Sequence, residues 1–223
     1  MPLLDQEFCM SIATRPATAE DAPFLAWVIQ AAARSHLELG IWDLALPGPD
    51  APRLEFLATL AVTDQAHFAH FSRFRVLEVD GVPAAGLSAY ENSEHGMEKL
   101  ALGLVEASRK LAWTQQKLER TIKDTGSFNA TGYPSPDGLW IVEWVATRPE
   151  FRGRSFMNRM LLEILDEGRA LGFERAQIGH LLGNTPARAA YERVGFVWLE
   201  DHCHPDFERD YGEPGLARMQ RDL

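Results

Sequence analysis

The 223-residue chain carries 22 lysines and arginines against 32 aspartates and glutamates, so its formal net charge is −10. Apolar residues make up 46% of the sequence, which is enough for a sizeable core and unlike a disordered chain. The acidic balance argues against nucleic-acid binding, which needs a basic surface. It suits a small cationic substrate better.

The N-terminal segment contains an aspartate and a glutamate but no basic stretch, so we expect no signal peptide. No apolar run approaches the length of a membrane span, and no membrane partner is expected. Cys9 and Cys203 lie far apart and form no CxxC pair, which argues against a zinc site and a disulfide framework. These features predict a soluble protein of a reducing, cytoplasmic compartment.

The N-terminal half predicts a strand, two helices and a hairpin, in that order. Thr18 and Asp21 form a capping-box-like start for the first helix. Asp80 and Gly81 give a tight-turn signal between two alternating segments. The predicted segments are 12–39 (strand and helix), 54–62 (helix), and 73–81 and 82–92 (hairpin strands).

A long charged segment at 97–125 follows, without proline and without glycine after Gly103. Its more apolar positions recur at alternating spacings of four and three, which predicts one helix of roughly 40 Å. That face carries Met97, Ala101, Leu104, Ser108, Leu111, Gln115, Leu118 and Ile122. Residues 125–138 predict a loop, because glycine, proline and serine are frequent there.

The C-terminal half predicts the order β-α-β-α-β-β, and its first strand, at 139–149, is apolar enough to be buried on both faces. We find no internal repeat and no linker, so residues 1–223 are predicted to form one domain. His67, His70, His202 and His204 are expected at the surface. No metal site is expected, since no HExxH or paired-histidine spacing is present.

Positive charge gathers where this strand leads into the next helix, because Arg152 and Arg154 flank Gly153 there. The first N–H groups of a helix lack backbone partners and carry a partial positive charge. Such a turn is suited to a phosphate, and guanidinium groups bind phosphates bidentately. A solvated helix end, with Glu150 as counter-charge, is the alternative. The sequence contains no P-loop and no dinucleotide fingerprint.

Two motifs, separated by one strand, resemble the acyl-CoA-binding core of the GNAT family of N-acetyltransferases. The family's first motif is R/Q-x-x-G-x-G/A; Arg152 fits it, whereas Ser155 and Met157 replace both small residues. The second motif is N-x-x-A-x-x-x-Y-x-x-x-G-F. Every position of that motif is matched, by Asn184, Ala187, Tyr191, Gly195 and Phe196.

The resemblance covers nearly the whole chain apart from residues 92–138. It implies a mixed α/β (α+β) fold, with a twisted central sheet flanked by helices and central parallel strands that splay apart. Residues 92–138 then form a long helical insert between the third and fourth strands. The family also implies acetyl-CoA as acyl donor, with its pantetheine arm in the splayed cleft and its pyrophosphate on the helix start.

On this mapping, backbone groups of Val145 and Thr147 hold the pantetheine and the acetyl carbonyl. Asn184 reaches the cofactor amide, and Ala187 belongs to the same motif. The pyrophosphate is held by the N–H groups of Arg152, Gly153, Arg154, Ser155, Phe156 and Met157.

Acetyl transfer needs a base for the amine and a proton donor for the departing thiolate. Tyr191 matches the family's thiolate-protonating tyrosine; a merely packed helix tyrosine is the alternative. Glu143 is the candidate base, because it lies in an apolar strand where burial raises a carboxyl pKa. We predict that it shares a face with Val145 and Thr147. A structural ion pair with an arginine is the alternative for Glu143.

The sequence thus predicts an acyltransferase that moves an acetyl group from acetyl-CoA to a primary amine of a small molecule by direct attack. A non-catalytic acyl-CoA-binding module is the alternative. His36 and Trp42 are expected to line the acceptor pocket. The insert is expected to cover the acceptor side, with Phe128 or Tyr133 touching substrate. The alternative role of the insert helix is to form the interface of a homodimer.

Overall fold

The computed structural model describes residues 10–132 and 134–223. The expectations for the N-terminal segment, for Cys9 and for Tyr133 concern residues outside these ranges. Within them, no helix combines the length and the apolar character that a membrane crossing needs.

Seven strands form one mixed sheet in the order β1-β2-β3-β4-β5-β7-β6. Only the β4–β5 pair is parallel among these strands, and the other neighbours are antiparallel. The strands are β1 (Ile12–Pro16), β2 (Phe74–Val79), β3 (Val82–Tyr90), β4 (Trp140–Thr147), β5 (Arg175–Leu181), β6 (Val197–Cys203) and β7 (Gly215–Asp222). The predicted mixed α/β sheet is confirmed.

Helices flank this sheet, and α4 to α7 lie between β3 and β4, where the insert was predicted. Three short helices, α2, α4 and α10, were not predicted. The helices are α1 (Ala22–Arg34), α2 (Ile41–Ala45), α3 (Asp50–Leu60), α4 (Asn92–His95), α5 (Met97–Lys110), α6 (Gln115–Lys123), α7 (Gly126–Thr131), α8 (Phe156–Ala170), α9 (Thr185–Arg193) and α10 (Pro205–Tyr211).

Each face of the sheet carries its own core. On one face, α1, α3 and α5 bury residues such as Leu25, Phe56 and Leu100. On the other face, α8 buries Met160 and Leu161 against the sheet. Apolar burial on both faces explains why β4 is almost continuously apolar in sequence.

The sheet opens between its two parallel strands. β4 and β5 pair only at Trp140–Val142 with Ala176–Ile178. Beyond these pairs, residues 143–147 of β4 continue along β3 but not along β5. A cleft with free backbone groups on one wall therefore begins at the middle of the sheet.

The prediction of one continuous helix at 97–125 is wrong, because α5 ends at Lys110 and α6 begins at Gln115. Ala112 between them has a φ of 51°. Thr114 then caps α6 by accepting a hydrogen bond from the Lys117 N–H at 3.2 Å. The break allows Trp113 to stack on Phe56, with ring centroids 4.5 Å apart.

The loop predicted at 125–138 is partly wrong, since α7 occupies Gly126–Thr131. The predicted apolar face of the insert is also only partly buried. Leu118 is buried, whereas Met97 and Ile122 are about half exposed, at 56% and 48%.

The prediction that His67 and His70 lie at the surface is wrong, because both are buried. His67 Nδ1 accepts a hydrogen bond from the Ala69 N–H, and its Nε2 lies 3.1 Å from Thr63 Oγ1. Gly103 makes room for the ring, since a Cβ there would lie 2.5 Å from it. Burial lowers the pKa of His67 to about 4, so the ring is neutral at pH 7.

Candidate active site

The opening between β4 and β5 leads into a cleft with a volume of about 1360 Å³. Pockets for a single small ligand typically measure about 300–1,000 Å³. The cleft runs from the start of α8, past β4 and the β5–α9 connection, to the insert helices α5, α6 and α7. Its size therefore suits two ligands that meet in the middle.

The start of α8 has the features of an anion site. Gly153 has a φ of 76° and open space where a Cβ would lie. The first N–H groups of α8 precede the first intrahelical bond, which Arg159 donates to Ser155. Arg152 and Arg154 are exposed here, and the structure gives them no carboxylate partner within the described residues. The alternative of a helix end balanced by Glu150 is therefore not favoured.

Ser155 and Met157 keep the geometry of the turn despite their departure from the motif. Ser155 adopts the left-handed conformation, with a φ of 59° and a ψ of 15°. Glycine adopts this conformation without cost, whereas other residues lose roughly 1–2 kcal/mol. Met157 is half-buried and packs against the core on the α8 face. The helix start thus remains open despite both substitutions.

A bulge in β4 places Glu143 on the opposite face from the one predicted. Ser88 pairs with Glu143, and Gly86 pairs with Ala146, so β4 has one extra residue between these pairs. Trp144 absorbs it with a φ of 52°. Glu143 therefore shares its face with Ala146, towards α1, and not with Val145 and Thr147. The extra residue shifts the two-residue alternation on which the prediction depended.

Glu143 has the properties of a general base whose pKa lies near neutral pH. Its half-buried carboxylate lines the cleft. Burial raises the pKa of Glu143 to about 7. No arginine or lysine within the described residues forms an ion pair with it, which disfavours the structural alternative.

Tyr191 lies on α9, buried, and lines the same cleft. Burial, and to a smaller degree the nearby Glu143 carboxylate, raise the pKa of Tyr191 above its ordinary value. A phenol that keeps its proton at pH 7 can donate it. The Glu143 carboxylate is thus close enough to Tyr191 to disfavour ionisation of its phenol.

Asn184 connects the two sides of the cleft. Its Oδ1 accepts a hydrogen bond from the Ala187 N–H at 3.1 Å and so caps α9. Its Nδ2 donates to Ser35 Oγ, at the end of α1, over 2.5 Å. Next to it, His36 Nε2 lies 2.8 Å from Glu213 Oε1. Asn184 and His36 both line the cleft, and they also hold α1 against the β5–α9 connection.

His180 and Trp144 also line the cleft, although the sequence analysis did not select them. His180 Nδ1 lies 2.7 Å from the Leu181 carbonyl, which fixes the proton on Nδ1. Its Nε2 is buried without a partner in the described part of the chain, and so is Trp144 Nε1. The position of His180 near the end of a central parallel strand is the signal that could have identified it.

The far end of the cleft is aromatic. Phe68 stacks between Tyr90 and Trp144, with ring centroids 5.0 and 6.0 Å away. Trp42 lines the cleft as predicted and lies 6.1 Å from Phe56. Phe128 lines the cleft as well, where it packs against Phe207 and Tyr211 of α10.

Residues 122–196 match the family model described as "Acetyltransferase (GNAT) family". No curated protein matches the chain. An acetyltransferase structure superposes with a TM-score of 0.69 at 17% identity, over 95% of this chain and 99% of that one. An N-acetyltransferase from Staphylococcus aureus Mu50 gives 0.64 at 17% identity, over 94% and 100%. Drosophila melanogaster polyamine N-acetyltransferase gives 0.55 at 17% identity, over 96% and 100%.

At these identities the solved structures show the fold alone, and that fold is the one found in N-acetyltransferases. Together with the matched segment it supports an acyltransferase. The match of residues 122–196 to the GNAT family model confirms the resemblance predicted from the two motifs.

Proposed function

We propose that this protein is an N-acetyltransferase that uses acetyl-CoA to acetylate a primary amine of a small molecule by direct attack. The observation that supports this most is the meeting of three features in one cleft. These are the open, positively charged start of α8, the Glu143 carboxylate and the Tyr191 phenol. The fold alone would not be enough, because one fold supports many functions.

The donor site has groups that fit acetyl-CoA, which supplies the acetyl group as a thioester. The N–H groups at the start of α8, with Arg152 and Arg154, would bind the pyrophosphate. Val145 and Thr147 lie on the part of β4 that β5 does not pair, so their backbone groups are suited to the pantetheine amides. Asn184 lies beside this path.

The acceptor amine reaches the cleft as an alkylammonium, whose pKa is about 10, and must lose a proton before it attacks. Glu143 takes that proton, directly or through water, since a carboxylate with a pKa of about 7 is ionised in half of the molecules at neutral pH. A C–N bond forms and a C–S bond breaks. Tyr191 Oη gives its proton to the departing sulfur, and the second proton that the nitrogen loses on becoming an amide returns to the Tyr191 oxygen.

The experiment is a measurement of free thiol released from acetyl-CoA in the presence of a panel of primary amines. We expect amine-dependent thiol release, with an N-acetylated amine formed in equal amount. A module that only binds acyl-CoA would bind CoA in calorimetry and release no amine-dependent thiol. That result would reject the enzyme and favour the binding module.

A further inference from the structure

The charges of the cleft are unequally distributed between its two ends. Arginines lie at the α8 end, where Arg152 and Arg154 line the wall. Glu143 is the one carboxylate among the lining residues that the structure describes. An acceptor with two ammonium groups would therefore find a partner for only one of them, and the other would be desolvated without compensation.

The described residues of the insert add only uncharged groups to the lining. Its apolar contributions come from α5, α6 and α7 and include Leu100, Leu104, Leu118, Ile122 and Phe128. Its polar contributions are neutral hydroxyl and amide groups: Asn92, Thr121, Thr125, Asn129 and Ser135. The wall opposite is aromatic, with Trp42, Phe56 and the stack of Phe68 between Tyr90 and Trp144.

Two apolar side chains are exposed where they face this space. Met97 and Ile122 are 56% and 48% exposed, and both line the cleft. Each is shielded from water when an apolar ligand covers it, and this burial favours binding of an apolar body. Leu102 of α5 is exposed to a similar degree, 55%, but does not line the cleft.

We propose that the acceptor is a primary amine with a single positive charge and an uncharged aromatic or branched apolar body, rather than a polyamine or a guanidino amine. This inference rests on the proposed function, since it names the acceptor of the same site. The ammonium lies at Glu143, and the apolar body lies between the aromatic wall and α5 and α6. The solved structures of similar fold include enzymes named for agmatine and polyamines, so the inference separates this chain from those proteins.

The test compares 2-phenylethylamine with agmatine as acceptors for the full chain. We expect kcat/KM to be at least about tenfold higher for 2-phenylethylamine, because the described lining offers the second charge of agmatine no counter-charge. An equal or higher value for agmatine would overturn the inference and leave the proposed function intact.

A matched pair of variants tests the position of the apolar body. Ile122→Glu adds a carboxylate to the cleft wall and is expected to reduce the preference for 2-phenylethylamine by about tenfold or more. Leu102→Glu adds the same charge to a similarly exposed site on α5 and is expected to leave the preference unchanged. Both positions are at the surface, so circular dichroism should show folded proteins. If both variants had the same preference for 2-phenylethylamine over agmatine, the apolar body would not lie against the wall that contains Ile122.

A failure of the proposed function can be distinguished from a failure of the inference about the acceptor. If no amine is acetylated, calorimetric titration of the CoA-bound protein with the same two amines decides the inference on its own. Tighter binding of 2-phenylethylamine than of agmatine supports it. Tighter binding of agmatine, or no binding of 2-phenylethylamine, overturns it.

Discussion

Replacing Glu143 with glutamine tests the candidate base in two independent ways. Glutamine has nearly the same shape but cannot accept a proton, so the rate of acetyl transfer should fall. General base catalysis is typically worth about 10²–10⁴ in rate, and we expect a loss in kcat/KM within that range. Wild-type kcat/KM should also show an ionisation near pH 7 that the variant lacks, because burial raises the pKa of Glu143 to about 7.

The same substitution should change the pH dependence of stability. Glu143 has a pKa of about 7 in the folded chain against the usual 4.5, so the folded state favours the protonated carboxyl. At pH 4 the Glu143 carboxyl is mostly protonated in both the folded and the unfolded chain. Folding at this pH therefore carries no cost for burying an ionised carboxylate. Between about pH 4.5 and pH 7 the carboxyl ionises in the unfolded chain but stays protonated in the folded one, so stability falls across this window and levels off above pH 7. The difference between a pKa of 4.5 and one of about 7 corresponds to a cost of at most about 3 kcal/mol, which is fully present above pH 7.

Urea denaturation of both proteins at pH 4 and pH 8 measures this cost. The glutamine variant should gain up to about 3 kcal/mol of unfolding free energy relative to wild type between these two pH values. Glu98→Gln is the matched control, since Glu98 is exposed and forms no ion pair among the described residues. A constant difference between wild type and Glu143→Gln at both pH values would refute the raised pKa. Unchanged kinetics would refute the role as base.

Three further predictions concern the remaining groups of the cleft. Tyr191→Phe should lower kcat by about 10²–10⁴ and leave CoA affinity within about threefold, and a kcat equal to that of wild type would reject its role as proton donor. Arg152→Ala combined with Arg154→Ala should weaken CoA binding in low-salt calorimetry by about tenfold or more, whereas Arg169→Ala at the other end of α8 should not change it. Ser155→Gly should preserve CoA affinity and raise unfolding free energy in urea by up to about 1 kcal/mol, since φ at this position is 59°; a clear loss of stability would contradict the strained turn.

The sequence predicted the helix starts and the second motif well, because their signals are local. Gly153 between two arginines indicates a turn with an anion site, and Asn184 and Tyr191 lie a fixed number of residues apart on one helix. The structure places these residues along one cleft. The mixed sheet was an expectation from the family resemblance of these motifs, and the parallel β4–β5 pair agrees with it.

The face of the sheet on which Glu143 lies could not be predicted, since it depends on a single bulge residue. Trp144 takes a left-handed backbone conformation, and no turn-forming residue in the sequence indicates it. The break in the insert was missed for a similar reason. Thr114 is a good cap, but it lies within a periodic pattern that predicts a continuous helix.

Tertiary contacts explain the other misses. His67 is buried because Gly103, 36 positions later, leaves space for its ring, and no local pattern shows that. The aromatic wall of the cleft was only partly anticipated through Trp42. Phe68 and Tyr90 come from a loop and a strand whose meeting depends on the whole fold.

The most direct test of the proposed function is mass spectrometry of a reaction that contains the protein, acetyl-CoA and 2-phenylethylamine. With wild type we expect N-acetylated amine and free CoA in equal amounts. With Glu143→Gln we expect a product yield lower by about 10²–10⁴ under conditions of initial rate. CoA release without the acetylated amine, or the same yield with Glu143→Gln as with wild type, would contradict the proposed function.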